Sequence, residues 1–240
     1  MKRFAYFFVA AIFTLFCLVF FTWNYLPYWV SNSLSNKMGV PVSIAHFNFT
    51  PRAIDVYKTT IGNPKGYVLS NALTVDSLEA KTPLSRFFKD TIVLDEVKLS
   101  DVYLGLEFDS MLNSRGNWSV IMNNLSASLN SESSKGSKNL LIKSLIIKNL
   151  QIDLIFKNDN KGIRHLKPIP LMAFNNISGE GGPLIDQLTN IVISEILKEV
   201  FSINNLKNML NGILRPSSQG ISPLYNSLKS LFSQETEFNP

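Results

Sequence analysis

The chain is poor in the groups from which active sites are made. It has one cysteine and two histidines in 240 residues. Cys17 lies inside an apolar run, so the rest of the chain has neither disulfide nor thiol chemistry. That is common in bacterial periplasmic domains and less typical of small secreted eukaryotic ones. His46 falls in an expected strand and His165 in an expected loop, and neither has a His, Cys or carboxylate at metal-ligand spacing. There is no G-x-S-x-G, no phosphate-binding loop and no dinucleotide fingerprint. No set of residues supplies acid, base and nucleophile together, so the expectation is a non-enzyme with no cofactor and no metal. Charge is also scarce, at 17% of residues, and the formal net charge of +5 is spread along the chain. No basic cluster with interleaved aromatics is present, which argues against nucleic acid as a partner.

What the chain does have is apolar sequence in two kinds of pattern. The first is a continuous run, FAYFFVAAIFTLFCLVFFTW, from Phe4 to Trp23, without a charge. Twenty residues at about 1.5 Å each span a hydrocarbon core roughly 30 Å thick. The run ends in Trp23, Tyr25, Tyr28 and Trp29, aromatics suited to the membrane interface, where a cleaved signal peptide would have small residues. Lys2 and Arg3 precede it and the next cation is Lys37, so the positive-inside rule keeps the N-terminus cytoplasmic and exports the bulk of the chain. The expected organisation is a transmembrane anchor over 1–28, a β-repeat domain over 29–178 and a helical region over 179–240.

The second pattern is alternation. Residues 93–109 read VLDEVKLSDVYLGLEFD and residues 141–157 read LIKSLIIKNLQIDLIFK. Aligned without gaps, Val97, Leu99, Val102, Leu104, Leu106 and Phe108 match Leu145, Ile147, Leu150, Ile152, Leu154 and Phe156. Alternation means a strand with one apolar face. Both copies slip phase at the same places, at Asp95-Glu96 and Lys143-Ser144 and again at Ser100-Asp101 and Lys148-Asn149. Weaker slips fall at Ala45-His46 and Asp76-Ser77. A slip inside a strand marks a bulge, corner or turn. One strand device therefore recurs, which predicts a repetitive, largely antiparallel sheet. An ordinary sandwich of similar strands is the competing reading. The same placement makes Asp95-Glu96 a solvated slip site, not a catalytic carboxylate pair.

Between the copies, residues 126–139 (SASLNSESSKGSKN) read as a flexible exposed loop. Pro83–Phe88 reads as a helical turn or short lid, and Pro168–Ile177 as a further strand. From Leu184 the period changes: Leu184, Leu188, Ile191, Val192, Ile196, Val200 and Phe201 form a helical stripe over about 184–202. Shorter stripes follow at Leu206–Leu214 and at Leu224, Leu228, Leu231 and Phe232. Such helices cover a sheet or the open end of a core. Binding to a membrane surface is the alternative.

The order of these segments resembles the AsmA-like proteins of the AsmA/TamB superfamily. The resemblance is carried by the anchor, SNSLSNKMGVPVSIAHFNFTP, GNPKGY, SLEAKTPLSRFFKDTIVLDEVKLSDVYLGLEFD and Asn117-Trp118, over roughly residues 1–125. MAFNNISGEGGPLIDQLTNIVISEILKEV also looks like the closing unit of short members. The resemblance implies a single-pass bacterial inner-membrane protein with a periplasmic, twisted, trough-like sheet closed by C-terminal amphipathic helices. It implies a role in lipid transport or outer-membrane homeostasis, with phospholipid or another acyl lipid, and other envelope proteins, as partners. The candidate groove is then the repeated face: Val97, Leu99, Val102, Leu104, Leu106, Phe108, Leu145, Ile147, Leu150, Ile152, Leu154 and Phe156. Eight to ten strands at about 4.8 Å would make a sheet some 40–50 Å wide, short for bridging two membranes. An anchored scaffold that binds protein partners without lipid is the competing function.

Overall fold

The computed structural model describes residues 2–110, 113–131, 138–158, 162–179 and 183–203. Helix α1 runs from Lys2 to Met38 with Pro27 inside it. The expected span Phe4–Trp23 falls mostly on side chains outside the described residues. Among the described residues no helix is long and apolar enough to cross a membrane. The helix stops at Gly39, whose φ of +69° suits a left-handed cap. Its last turns present Val30, Leu34 and Met38, spaced four apart, to the sheet, and Leu34 and Met38 are buried.

The strands are β1 (Val42–Ser43), β2 (His46–Phe49), β3 (Ala53–Gly62), β4 (Asn71–Lys81), β5 (Thr91–Leu94), β6 (Glu96–Ser110), β7 (Asn113–Gly116), β8 (Asn139–Phe156), β9 (Arg164–His165) and β10 (Ile169–Gly179). A 3-10 turn, Leu84–Phe88, precedes β5. All ten strands belong to one open sheet, ordered β1-β3-β4-β6-β8-β10. β2 continues the column of β1, β5 that of β6, and β9 that of β10. The sheet is therefore six columns wide. At about 4.8 Å per step that is roughly 25 Å, narrower than a count of separate strands suggested.

The sheet is largely antiparallel, as expected, and the exception is where β8 meets β5 and β6. The two repeat copies are direct neighbours, and they run parallel. Val97 faces Leu145, Leu99 faces Ile147, and the ladder continues without a shift to Phe108 and Phe156. β5 extends it, with Thr91 opposite Asn139. A parallel pair needs a long crossover, and helix α2 (Asn117–Ser131) supplies it. The first six residues of the expected loop, 126–131, are therefore helical, while 132–137 lie outside the described residues. Trp118, Ile121, Met122 and Leu125 are buried on one side of α2, and this stripe carries the helix onward into its Ser- and Asn-rich end.

Helix α3 (Leu184–Ile203) follows β10. The expected C-terminal stripes at 206–214 and 224–232 lie outside the described residues. Three helical segments thus lie on one face of the sheet: the end of α1 beside β1 and β2, α2 over β6, and α3 over β8 and β10. They share one core with the strands.

The phase slips have a common geometry. Lys58, Asp101 and Asn149 have φ of +51°, +54° and +53° within β3, β6 and β8. The pairings skip these residues and Asp76 opposite them, while Ala45 is the break between β1 and β2. The slips therefore form one line across the sheet, and their side chains are all exposed. The Asn149 amide donates to Asp101 Oδ1 at 2.7 Å along this line. A second line passes through Asp95, Lys143 and Asn176, the last with φ of +56°. One left-handed residue in each of β3, β6, β8 and β10 re-aims the alternation, so the apolar side chains stay on the same face above and below the line.

Candidate functional site

Below the first slip line, the register assembles two apolar rows that cross all six columns. One row is Phe47, Val56, Leu78, Leu99, Ile147 and Met172. The next is Phe49, Ile54, Ala80, Val97, Leu145 and Phe174. Residues directly opposite across a ladder share a face, so twelve residues from six strands form one continuous apolar surface.

That surface is unevenly covered. On the β6–β8–β10 side it lies under α2 and α3, and α3 buries Ile191, Val192, Ile193, Ile196, Leu197, Val200 and Phe201. Phe201 meets Phe108 edge-on with ring centroids 5.8 Å apart, and Phe108 stacks on Phe156. On the β2–β4 side, Phe47, Phe49, Ile54, Val56 and Leu78 are only half-buried. Among the described residues Phe47, Ile54 and Val56 stand outside the main core cluster, and the rings of Phe47 and Phe49 stack on each other at 5.9 Å. This part of the face is an apolar shelf beside the covered part.

The structure brings all the groove candidates together on one face. Val97, Leu99, Val102, Leu104, Leu106, Phe108, Leu145, Ile147, Leu150, Ile152, Leu154 and Phe156 are each at most 4% exposed. They lie beneath the helices, and the reachable apolar surface is the shelf to their side. Reading the repeat alone passed over the shelf residues, because β2, β3 and β4 carry no close copy of it. The signal for them was the alternation of Phe47 with Phe49 and of Ile54 with Val56, which needed the cross-strand register to become a surface.

Helix α3 is not a purely apolar cover. Ser194 is fully buried, and its hydroxyl has no hydrogen-bond partner, nor has the Asn190 side-chain carbonyl. A buried polar atom without a partner costs about 1–3 kcal/mol. At the start of α3, Asp186 is buried and pairs with Lys37 of α1 at 2.5 Å. A carboxylate in a helix's first turn also suits the helix dipole. Gly179 at the end of β10 lets α3 approach closely, since a Cβ there would meet Ile191 Cδ1 at 2.7 Å.

The turn 62–70 and the start of α2 are fixed by a buried polar network. Asn117 accepts from the Glu107 and Trp118 amides and donates to Gly105 O and Asn63 Oδ1. The Trp118 indole N–H donates to Gly105 O at 2.9 Å. The buried Glu107 carboxylate accepts from the amides of Val68 and Leu69. Every group here has a partner within the fold, so the network serves to hold the helix over the sheet.

The opposite face of the sheet is polar. Lys98 binds Glu79 at 2.6 Å and Lys81 binds Glu96 at 2.7 Å. Lys98 holds the Glu79 carboxyl below its usual range, and Arg86 and Lys143 do the same for Asp95. Tyr103 donates to Asp153, and burial together with that carboxylate pushes the phenol up to about 12. The imidazole of His165 also meets Asp153, at 2.6 Å, and His46 stacks on Tyr57.

The sheet is open and mixed, and its apolar face lies under amphipathic helices. The model of the AsmA family matches residues 1–173. The chain belongs to the AsmA family. The match extends past α2 through the second repeat copy into β10, beyond the N-terminal half that carried the resemblance. No curated protein and no solved structure matches the chain. AsmA membership points to an envelope-associated, lipid-related role.

Proposed function

We propose that this AsmA-family protein is anchored in the bacterial inner membrane by residues 4–23 and binds phospholipid acyl chains on its apolar sheet face in the periplasm. The observation that carries this reading is the shelf: Phe47, Ile54, Val56 and Leu78 are half-buried on the same apolar face whose β6–β8–β10 part is in the core. Each acyl CH2 moved from water onto such a surface gains up to about 0.8 kcal/mol. A tether holds this surface next to the bilayer from which a chain would come.

The test is native mass spectrometry of the full chain released from mild detergent. Phospholipid is expected on the wild-type protein and is expected to be lost from the Phe49→Asp/Val56→Asp double variant. Absence of lipid from both, with the variant folded, would sink the reading.

A second reading has one observation in its favour. The edge strand β10, IPLMAFNNISG, has no charged residue among its 11 residues, and charge is one of the usual guards of a free edge. An anchored scaffold would pair a partner's strand there. In-cell crosslinking from β10 that traps one defined protein, with no lipid on the purified chain, would favour the scaffold.

A further inference from the structure

Helix α3 covers the same apolar rows that end in the shelf. It packs over β8 and β10, the strands that carry Leu145, Ile147 and Met172, and the rows through these residues continue into Phe47–Val56–Leu78 and Phe49–Ile54–Ala80. A helix that only closed a core would set apolar side chains against those rows. This one buries Ser194 with its hydroxyl unpartnered, and leaves the Asn190 carbonyl oxygen in the same condition. Its seat is therefore weaker than its apolar stripe alone would make it. Its first turn is held by Lys37 of α1 on Asp186 and by the Gln187 side-chain amide, which donates to the Lys138 carbonyl just before β8. Lys37 also lines a cleft of about 770 Å³ between α1 and α2, with Asn36, Asn124 and Ser128, so this contact can be reached without disturbing the sheet.

We infer that α3 is a displaceable plug: it occupies the deep part of the acyl-binding face, and the Lys37–Asp186 pair latches it there. Lipid on the shelf meets a seated α3 as a wall. When the pair opens, α3 leaves Leu145, Ile147 and Met172, and the acyl chain extends along the rows into its place. The latch residue on α1 continues the helix whose N-terminal part is the proposed anchor, so the state of the plug is set at the junction between anchor and sheet. This inference rests on the lipid-binding reading, and the experiment separates the two.

The full chain is reconstituted into phosphatidylethanolamine/phosphatidylglycerol vesicles that contain phosphatidylethanolamine with a diazirine near the end of one acyl chain. After photolysis, adducts are mapped by mass spectrometry, and deep labelling at Leu145, Ile147 and Met172 is expressed relative to shelf labelling at Phe49 and Val56. The Lys37→Met/Asp186→Leu variant removes both charges of the latch together, and the deep-to-shelf ratio is expected to rise about tenfold. Ser194→Ala removes the unpartnered hydroxyl and seats the plug better, and the ratio is expected to fall about threefold. Should the double variant fail to fold, the Ser194→Ala arm decides alone. A ratio unchanged by these substitutions, with the shelf labelled, overturns the plug and leaves lipid binding standing. No labelling on either part of the face overturns lipid binding, and the plug falls with it.

Discussion

The two halves of the lower apolar face have the same kind of side chain and different surroundings. Leu99, Ile147 and Met172 lie in one row with Phe47, Val56 and Leu78, on the same side of the same sheet. The first three are buried, on columns that lie under α2 and α3, and the last three are half-buried. Composition and strand pattern do not separate them. What differs is the packing over them: α3 turns back over β8 and β10, the columns nearest to it, and against α2. The difference shows that an apolar strand face is a core or a surface according to its cover.

The largest expected effect breaks the comparison if the two halves turn out alike. Leu145→Ala leaves a cavity beneath α3 and should cost about 2–5 kcal/mol in urea denaturation. Val56→Ala on the shelf removes atoms already half in water and should cost about 1 kcal/mol or less. Equal costs would mean that the shelf is covered in solution. An intermediate effect concerns the slip line, which both halves share. Asn149→Val places a β-branched residue at φ +53° and should lose about 1–2 kcal/mol, whereas Asn149→Gly should stay close to the wild type. Thermal midpoints of the two variants check that ordering. The smallest effect lies on the polar face behind the border between the halves. Glu79 and Asp95 have carboxyls lowered in the folded state, first by the hydrogen bonds from Lys98 and Arg86 respectively. Their contribution is present above the ordinary carboxylate values of 4.5 and 3.8 and is lost as pH falls through the lower folded ones. Both groups are largely solvated, so the acid shift of the urea midpoint should shrink only slightly in Glu79→Gln/Asp95→Asn. A large change would show that these ion pairs join the halves more firmly than solvent screening allows.

Much of this was legible in the sequence because the repeat is a spatial fact. The ungapped alignment of Val97 with Leu145 and of Phe108 with Phe156 is the ladder register itself. The slip at Ser100-Asp101 and Lys148-Asn149 is a left-handed residue in each copy, at Asp101 and Asn149. The α3 stripe at Ile191, Ile196 and Val200 is the buried side of that helix. The parallel direction was not legible, because it depends on a crossover helix whose C-terminal end is Ser- and Asn-rich and looks like a linker. That helix forms around Trp118, Ile121 and Leu125, and their burial is a property of the sheet they land on. The shelf was illegible for a related reason. Half-burial depends on which other segments pack over a strand, and no residue of β2 or β3 encodes that.

The line of left-handed residues also sets a modulus for the chain. The Asp101–Asn149 and Asp95–Lys143 contacts both join residues 48 apart, so both creases repeat at one interval. A further unit of that length, with its own crossover helix, would meet its predecessor with both creases already aligned. The sheet can therefore be widened in whole increments, while an insertion of any other length inside a strand would put the creases out of step and turn half of the new strand inside out. Growth of this architecture is counted in units, and the crease is what keeps the count.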